Sequence, residues 1–330
     1  MKTTYLILIK SYKMKKSLLL IMLFISGVVF AQNPADTTKP WKFSGLGSLT
    51  LNQASFNNWS AGGENSLSGT ALLKLYADYT KGKFSINNNA NFKYGILSND
   101  TYNNPIKNED LIELNSQFNY KTSKHWSMSG LINLTTQFAN GYNYPDDSTV
   151  ISKFFAPAYL TVAPGMLYKP VDYFSILMTP ITLKGVFVMD QDLADLGAFG
   201  VDKADTLTDG SIDWGTGKKV KMKVGAFVEF YFKKEIKTDM TLESKMNLFY
   251  NYLEDKNIAD GILKLDFQWQ TFVNYSINKW FSANFFVHFA YMPGDVFIER
   301  TGIDGKKLKV TPNDKLQIKQ TFGLGLTYNF

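Results

Sequence analysis

Apolar and polar residues alternate along most of this chain, and the alternation comes in separate segments. In the last, Leu316 to Phe330, Ile318, Phe322, Leu324, Leu326, Tyr328 and Phe330 share one parity. Gln317, Lys319, Thr321, Gly323, Gly325, Thr327 and Asn329 share the other. A period of two marks a strand and excludes a helix. The pattern recurs over 65–79, where Leu67, Ala71, Leu73, Leu75, Ala77 and Tyr79 alternate with Ser66, Ser68, Thr70, Lys74 and Asp78. It recurs again over 83–97, where Lys93 falls on the polar parity, and over 109–121, where Glu113 does. Further segments cover 42–53, 126–138, 219–232, 240–252, 263–275 and 280–291. Two stretches, 155–168 and 173–187, are blurred: Pro157, Pro164 and Pro180 each lack a ladder donor, which predicts bulges or a less regular wall. The count is about twelve strands.

The connections between these segments alternate in length. Those around Lys81, Ser123, Pro170, Glu235 and Asn278 are short; those around Trp59, Tyr102, Tyr144, Asp202, Lys256 and Gly305 are long. Short turns at one end and long loops at the other are the arrangement of an outer-membrane barrel. The aromatics agree. Tyr79, Phe84, Tyr120, Trp126, Tyr168, Phe174, Phe232, Tyr275, Phe281, Tyr328 and Phe330 lie on the apolar parity and beside a short turn or the terminus, as in an interfacial girdle. In a soluble β-sandwich, the alternative, the apolar faces meet as a core and give no reason for aromatics to gather at one strand end. The predicted fold is all-β: a transmembrane antiparallel outer-membrane β-barrel over 42–330, both termini at the short-turn, periplasmic side.

Targeting features fit a Gram-negative outer membrane. From Met14 the chain reads as a secretory signal, with Lys15 and Lys16, an apolar run from Leu18 to Phe30, and Val29 and Ala31 before a cut at Gln32. The predicted signal peptide is 1–31, followed by a polar periplasmic tail over 32–41. The formal charge of the 330-residue chain is +6, and the leader holds five lysines and no acid; taking them away leaves +1. No case for nucleic-acid binding remains. Cysteine is absent, which excludes a lipid-anchored amino terminus, disulfides and thiolate metal sites. The expected partners are outer-membrane lipid and the barrel-assembly machinery, which would meet the C-terminal strand.

The first long loop carries a motif. The stretch Leu51 to Leu67 contains Gln53, Ala54, Ser55, Phe56, Trp59, Gly62, Gly63, Glu64, Asn65 and Ser66. On these residues the chain resembles an uncharacterised family of Bacteroidota outer-membrane proteins known only as a domain of unknown function. Thr136, Gln137, Phe138, Gly141 and Tyr142, then Ser152, Lys153, Phe154, Ala156 and Pro157, then Gly165, Tyr168, Lys169 and Pro170 extend the resemblance over nearly the whole mature chain. The resemblance implies a location and supplies no reaction and no catalytic residues. Physically, Gly62 and Gly63 permit close backbone approach, Trp59 can anchor the loop and Glu64 can bond lumen groups. The loop is therefore either an inward constriction or a tight cap on the first strand pair.

Candidate chemistry is sparse. The chain has two histidines, His125 in a short turn and His288 on the lumen parity. A lipolytic barrel enzyme would need a histidine and a serine facing lipid, so no enzymatic activity is expected. The loop Val188 to Gly217 is rich in aspartate, including Asp190, Asp195, Asp202, Asp205 and Asp209, but its spacing does not reproduce a twelve-residue calcium loop; a solvated acidic loop is expected, with no metal or cofactor. The lumen parity carries Lys74, Lys93, Glu113, Lys221, Lys223, Glu229, Glu243, Lys245, Lys264, Asp266, His288 and Lys319. Mixed charges inside such a wall must pair or meet water. The function expected is a narrow pore or specific channel for small polar or anionic solutes. The alternative is a non-conducting structural or accessory barrel that binds a protein partner in an envelope assembly.

Overall fold

The period-two segments become strands wherever the structure describes them. The computed structural model describes residues 39–54, 66–99, 104–144, 147–253, 265–292, 296–301, 307–312 and 316–330. The expected signal peptide and the first-loop residues Trp59 and Glu64, with Lys264, lie outside the described residues. The strands form one unit, Trp41–Asn329; of the other unit only Lys39, Pro40 and Phe330 are described.

In chain order the strands are β1 (Trp41–Ala54), β2 (Ser66–Lys81), β3 (Phe84–Asn99), β4 (Ile106–Lys121), β5 (Trp126–Thr136), β6 (Gly141–Tyr142), β7 (Val150–Ser152), β8 (Ala158–Val171), β9 (Phe174–Phe187), β10 (Val220–Lys237), β11 (Met240–Asn251), β12 (Leu265–Ser276), β13 (Phe281–Tyr291), β14 (Val296–Thr301), β15 (Lys307–Pro312) and β16 (Gln317–Asn329). Twelve close a barrel in the order β1-β16-β13-β12-β11-β10-β9-β8-β5-β4-β3-β2, every neighbouring pair antiparallel. The other four make two small hairpins, β6–β7 and β14–β15, inside long connections. Closure matters because backbone groups inside a hydrocarbon layer have no water to bond; a ring of ladders leaves no free edge.

The turns alternate as expected. Gly82 and Lys83 join β2 to β3, Asp172 and Tyr173 join β8 to β9, and Thr238 and Asp239 join β10 to β11. Gly82 sits at φ +61, where a Cβ would be strained. β10 runs to Lys237, five residues past the expected end at Phe232, and places its turn beyond Glu235. Both the start of β1 and the end of β16 lie at the short-turn end. The closing ladder between them is short: Leu46 to Leu51 pair with Asn329 to Leu324, against fourteen pairs along β1–β2.

The irregular wall has one identifiable cause. Opposite β10, Thr182 faces Gly225 and Thr179 faces Phe227, so Pro180 and Ile181 form a bulge in β9. The bulge flips the parity of β9, and Leu177, Thr179, Thr182, Lys184 and Val186 all point inward. Pro164 keeps an unbroken ladder on one side, opposite Gly130 of β5, while on its other side the β8–β9 ladder is interrupted between Val162 and Met166. Beside the bulge Gly225 is required: a Cβ there would lie 2.0 Å from the Tyr250 carbonyl oxygen.

The outer surface is apolar. Trp269, Leu324 and Leu326 are 42, 43 and 57% exposed and face away from the lumen. At the short-turn end the aromatics meet in pairs: Trp126 and Tyr168 at 4.7 Å between ring centroids, Trp280 stacked on Tyr328 at 5.6 Å, and Tyr173 edge-on to Phe232 at 5.7 Å. Trp41 joins them against Tyr79 at 5.1 Å.

Candidate functional site

Lys74, Lys93, Glu113, Lys221, Lys223, Glu229, Glu243, Lys245, Asp266, His288 and Lys319 all line one lumen cavity of about 1130 Å³. Its lining reaches from Asp78, Lys169 and Asp172 at the short-turn end to Asn108, Phe199 and Met292 at the long-loop end. The strand period brings them together: each occupies the polar parity of its strand, and closure turns that parity inward.

Ion pairs cross this lumen between opposite walls. Lys74 on β2 lies 3.6 Å from Glu243 on β11, which also meets Lys233 at 3.8 Å and accepts a hydrogen bond from the Tyr231 hydroxyl at 3.3 Å. Lys245 on β11 lies between Glu229, at 3.3 Å, and Glu113 on β4, at 3.7 Å. Asn91 and Asn133 donate to the two oxygens of Glu113 at 2.7 and 3.3 Å. Towards the long loops, Glu109 on β4 holds Lys93 at 3.2 Å and Lys319 on β16 at 2.8 Å. Lys184 on β9 bonds Asp266 on β12 at 2.8 Å. The carboxylates of these pairs are at most about a quarter exposed, so the pairs are less screened by salt than surface pairs.

The interior is less polar than expected. Leu131, Ala163, Leu177, Phe227 and Phe249, on five consecutive strands of the ring, pack together on the inner face. The Lys184 ammonium sits 4.5 Å over the Phe249 ring and that of Lys74 4.7 Å over Phe272, so aromatic faces help hold the cations. An apolar cluster thus shares strands β9 to β11 with the ion-paired residues instead of leaving the lumen wholly polar. His288 faces the lumen as expected; its Nε2 has no hydrogen-bond partner among the described residues.

The aspartate-rich loop also departs from expectation. It folds over the inner wall instead of standing in solvent. α1 (Gln191–Asp195) and a 3-10 turn at Ala198–Gly200 bury Val188, Leu193, Ala194, Ala198 and Val201 against Ala156 and the inward Val186, and Phe199 lines the cavity. Asp190 caps α1 by accepting from the Leu193 amide at 3.1 Å and pairs with Lys153. Asp195 is 3% exposed and accepts from the amides of Gly215 and Gly217, both at 2.8 Å, and from Gln191 at 2.7 Å. Burial alone would raise its pKa; those bonds outweigh burial and hold it below the usual aspartate value. Asp202, Asp205 and Asp209 are exposed, as expected of a solvated loop.

Sequence reading missed Glu109, Lys184, Lys233 and Phe199. Glu109 stood at the expected edge of its strand, whereas β4 begins at Ile106. Lys233 lay past the expected end of its strand, and Lys184 lay beyond the parity flip at Pro180. The proline was the available signal for the last.

A closed antiparallel barrel, apolar outside and ion-paired within, defines a transmembrane β-barrel of the outer-membrane type. Residues 51–142 match the model of a family described as "Protein of unknown function (DUF3078)". That match takes in the first-loop motif and the Thr136–Tyr142 blocks and ends before those at 152–157 and 165–170, a narrower span than the resemblance implied. No curated protein matches the chain. Among solved structures it is similar to the COG4313 outer membrane channel from Pseudomonas putida F1, at 10% identity and TM-score 0.36 over 90% of this chain and 98% of that one. It is also similar to the NanC porin, at 9% identity and TM-score 0.35 over 87% and 99%. A third is a Pseudomonas aeruginosa FadL homologue, at 9% identity and TM-score 0.30 over 87% and 89%.

Proposed function

We propose that this barrel is a narrow, selective channel for small polar solutes, embedded in the outer membrane with both termini periplasmic, and not an enzyme. One observation carries the reading: a single cavity whose lining runs from the short-turn end to the long-loop end. Crossing ion pairs divide that path between opposite walls, which favours small solutes over large ones. A polar lumen of this kind selects by the charges it presents along the path. Outer-membrane lipid contacts the apolar belt, and the C-terminal strand β16 is the segment offered to the barrel-assembly machinery. Purified protein in a planar bilayer is expected to give small, discrete single-channel steps. A folded, heat-modifiable barrel with no conductance would overturn the channel.

The pairs joining opposite walls, Lys74 with Glu243 and Lys245 with Glu113, favour a second reading, a non-conducting accessory barrel. Under it, K245M and E243Q would leave the bilayer silent, and the long loops would retain an envelope protein in crosslinking from intact cells.

A further inference from the structure

The lysines that line the cavity are not equivalent. Lys74, Lys93, Lys169, Lys184, Lys233, Lys245 and Lys319 each have a carboxylate within salt-bridge distance. Lys221 and Lys223 have none among the described residues, although both are partly buried in the lumen wall. They stand two apart on β10, so both point inward, and Lys223 lies directly opposite Lys184 on β9. Like charges facing across a ladder destabilise it unless something neutralises them. Asp266 is already bonded to Lys184 and answers only one of the three charges. Their surroundings are confining: Val186, the cross-strand neighbour of Lys221, is covered by the inward loop, and Phe199 of that loop lines the same cavity.

We infer that Lys221 and Lys223, flanked by Lys184, form a binding site in the long-loop half of the lumen for a small oxyanion, a carboxylate or a phosphate. The inference rests on the channel reading for its biological meaning, since it makes the preferred solute anionic, but the site itself stands on geometry. Two ammonium groups on one strand offer six N–H donors to a group with two or three acceptor oxygens, the complement of charge-assisted bonding. The ion-paired layer deeper in the lumen presents the carboxylates of Glu113, Glu229 and Glu243 already engaged, so an anion meets its attractive charge before that layer.

The test uses the full mature chain, folded in detergent at low ionic strength and checked by its heat-modifiable band. Inorganic phosphate and glucuronate are titrated in by calorimetry. Saturable binding of at least one is expected, weakened about tenfold or more in K221Q/K223Q and retained in K221R/K223R. K124Q/K237Q, which removes the same charge from two exposed positions at the short-turn end, is expected to bind like the parent. The absence of saturable binding by either anion, or equal weakening by both glutamine pairs, would overturn the site. A bilayer recording separates this inference from the one beneath it. Binding that depends on Lys221 and Lys223 in a silent barrel sinks the channel and keeps the site. Conductance whose reversal potential ignores K221Q/K223Q, in a protein that binds neither anion, keeps the channel and sinks the site.

Discussion

Replacing Lys245 with methionine tests the view that charge pairs hold the lumen together. The methionine fills nearly the same volume but leaves Glu113 and Glu229 facing each other with no cation between them. At 3.7 and 3.3 Å and an effective dielectric of about 20, each attraction amounts to about 4–5 kcal/mol before desolvation is subtracted. Removing one member of a buried pair costs about 3–5 kcal/mol because the partner charge is stranded. Asn91 and Asn133 still donate to Glu113, which places the expected loss near the lower figure, about 3 kcal/mol. The assay is urea unfolding from lipid vesicles followed by tryptophan fluorescence, with the slope held common to parent and variant. K245M/E113Q/E229Q removes the stranded charges and is expected to recover all but about 1 kcal/mol. A loss under about 1 kcal/mol in K245M, or a triple variant no better than the single one, would show that water screens these groups and that the crossing pairs do not brace the barrel.

Three other outcomes are expected. Asp195 has its pKa held low, so its contribution to the loop is complete above the ordinary aspartate range and lost as pH falls through the depressed value. Amide exchange at Gly215 and Gly217, corrected for intrinsic rates, should show constant protection above about pH 4 and falling protection well below it, and D195N should lose that protection at neutral pH. G225V places a branched side chain where even a Cβ meets the Tyr250 carbonyl at 2.0 Å; a cost of about 3 kcal/mol or more and a missing heat-modifiable band are expected on cold electrophoresis. L324R sets a charge near the middle of β16 on the apolar face and should lower vesicle stability by about 2–4 kcal/mol, an effect that vanishes if that face is not in lipid.

The wall was legible in the sequence because the side-chain period of a strand is invariant and one apolar face had to point at lipid. Ten of the twelve barrel strands answer to an alternating segment and β8 and β9 to the two blurred stretches, and Lys74, Glu113, Glu243 and Lys245 fall inside by parity alone. What failed to show was whatever depends on a local break or on partners distant in sequence. The bulge at Pro180 inverts the reading of Lys184, and no periodicity states that Lys74 will find Glu243 across the lumen. The apolar filling by Leu131, Phe227 and Phe249 was hidden for a related reason: inward apolar residues look like noise until they are seen to touch. The inward turn of the loop was hidden too, because a run of aspartates reads as solvated, whereas Asp195 is buried against two glycine amides and Asp190 caps α1 and pairs with Lys153.

The short ladder between β1 and β16 has a consequence for how the cylinder is assembled. Every other neighbour in the first half of the chain is reached through a nearby connection, whereas this seam must bring together Leu46 and Asn329 from the two ends of the strand order. Joining remote segments is slow, and the ladder that rewards it has only the pairs from Leu46 to Leu51. Zipping that seam is therefore expected to be the last event of insertion. A pulling force applied to the chain termini would begin its work there, peeling β16 from β1 before any hairpin yields.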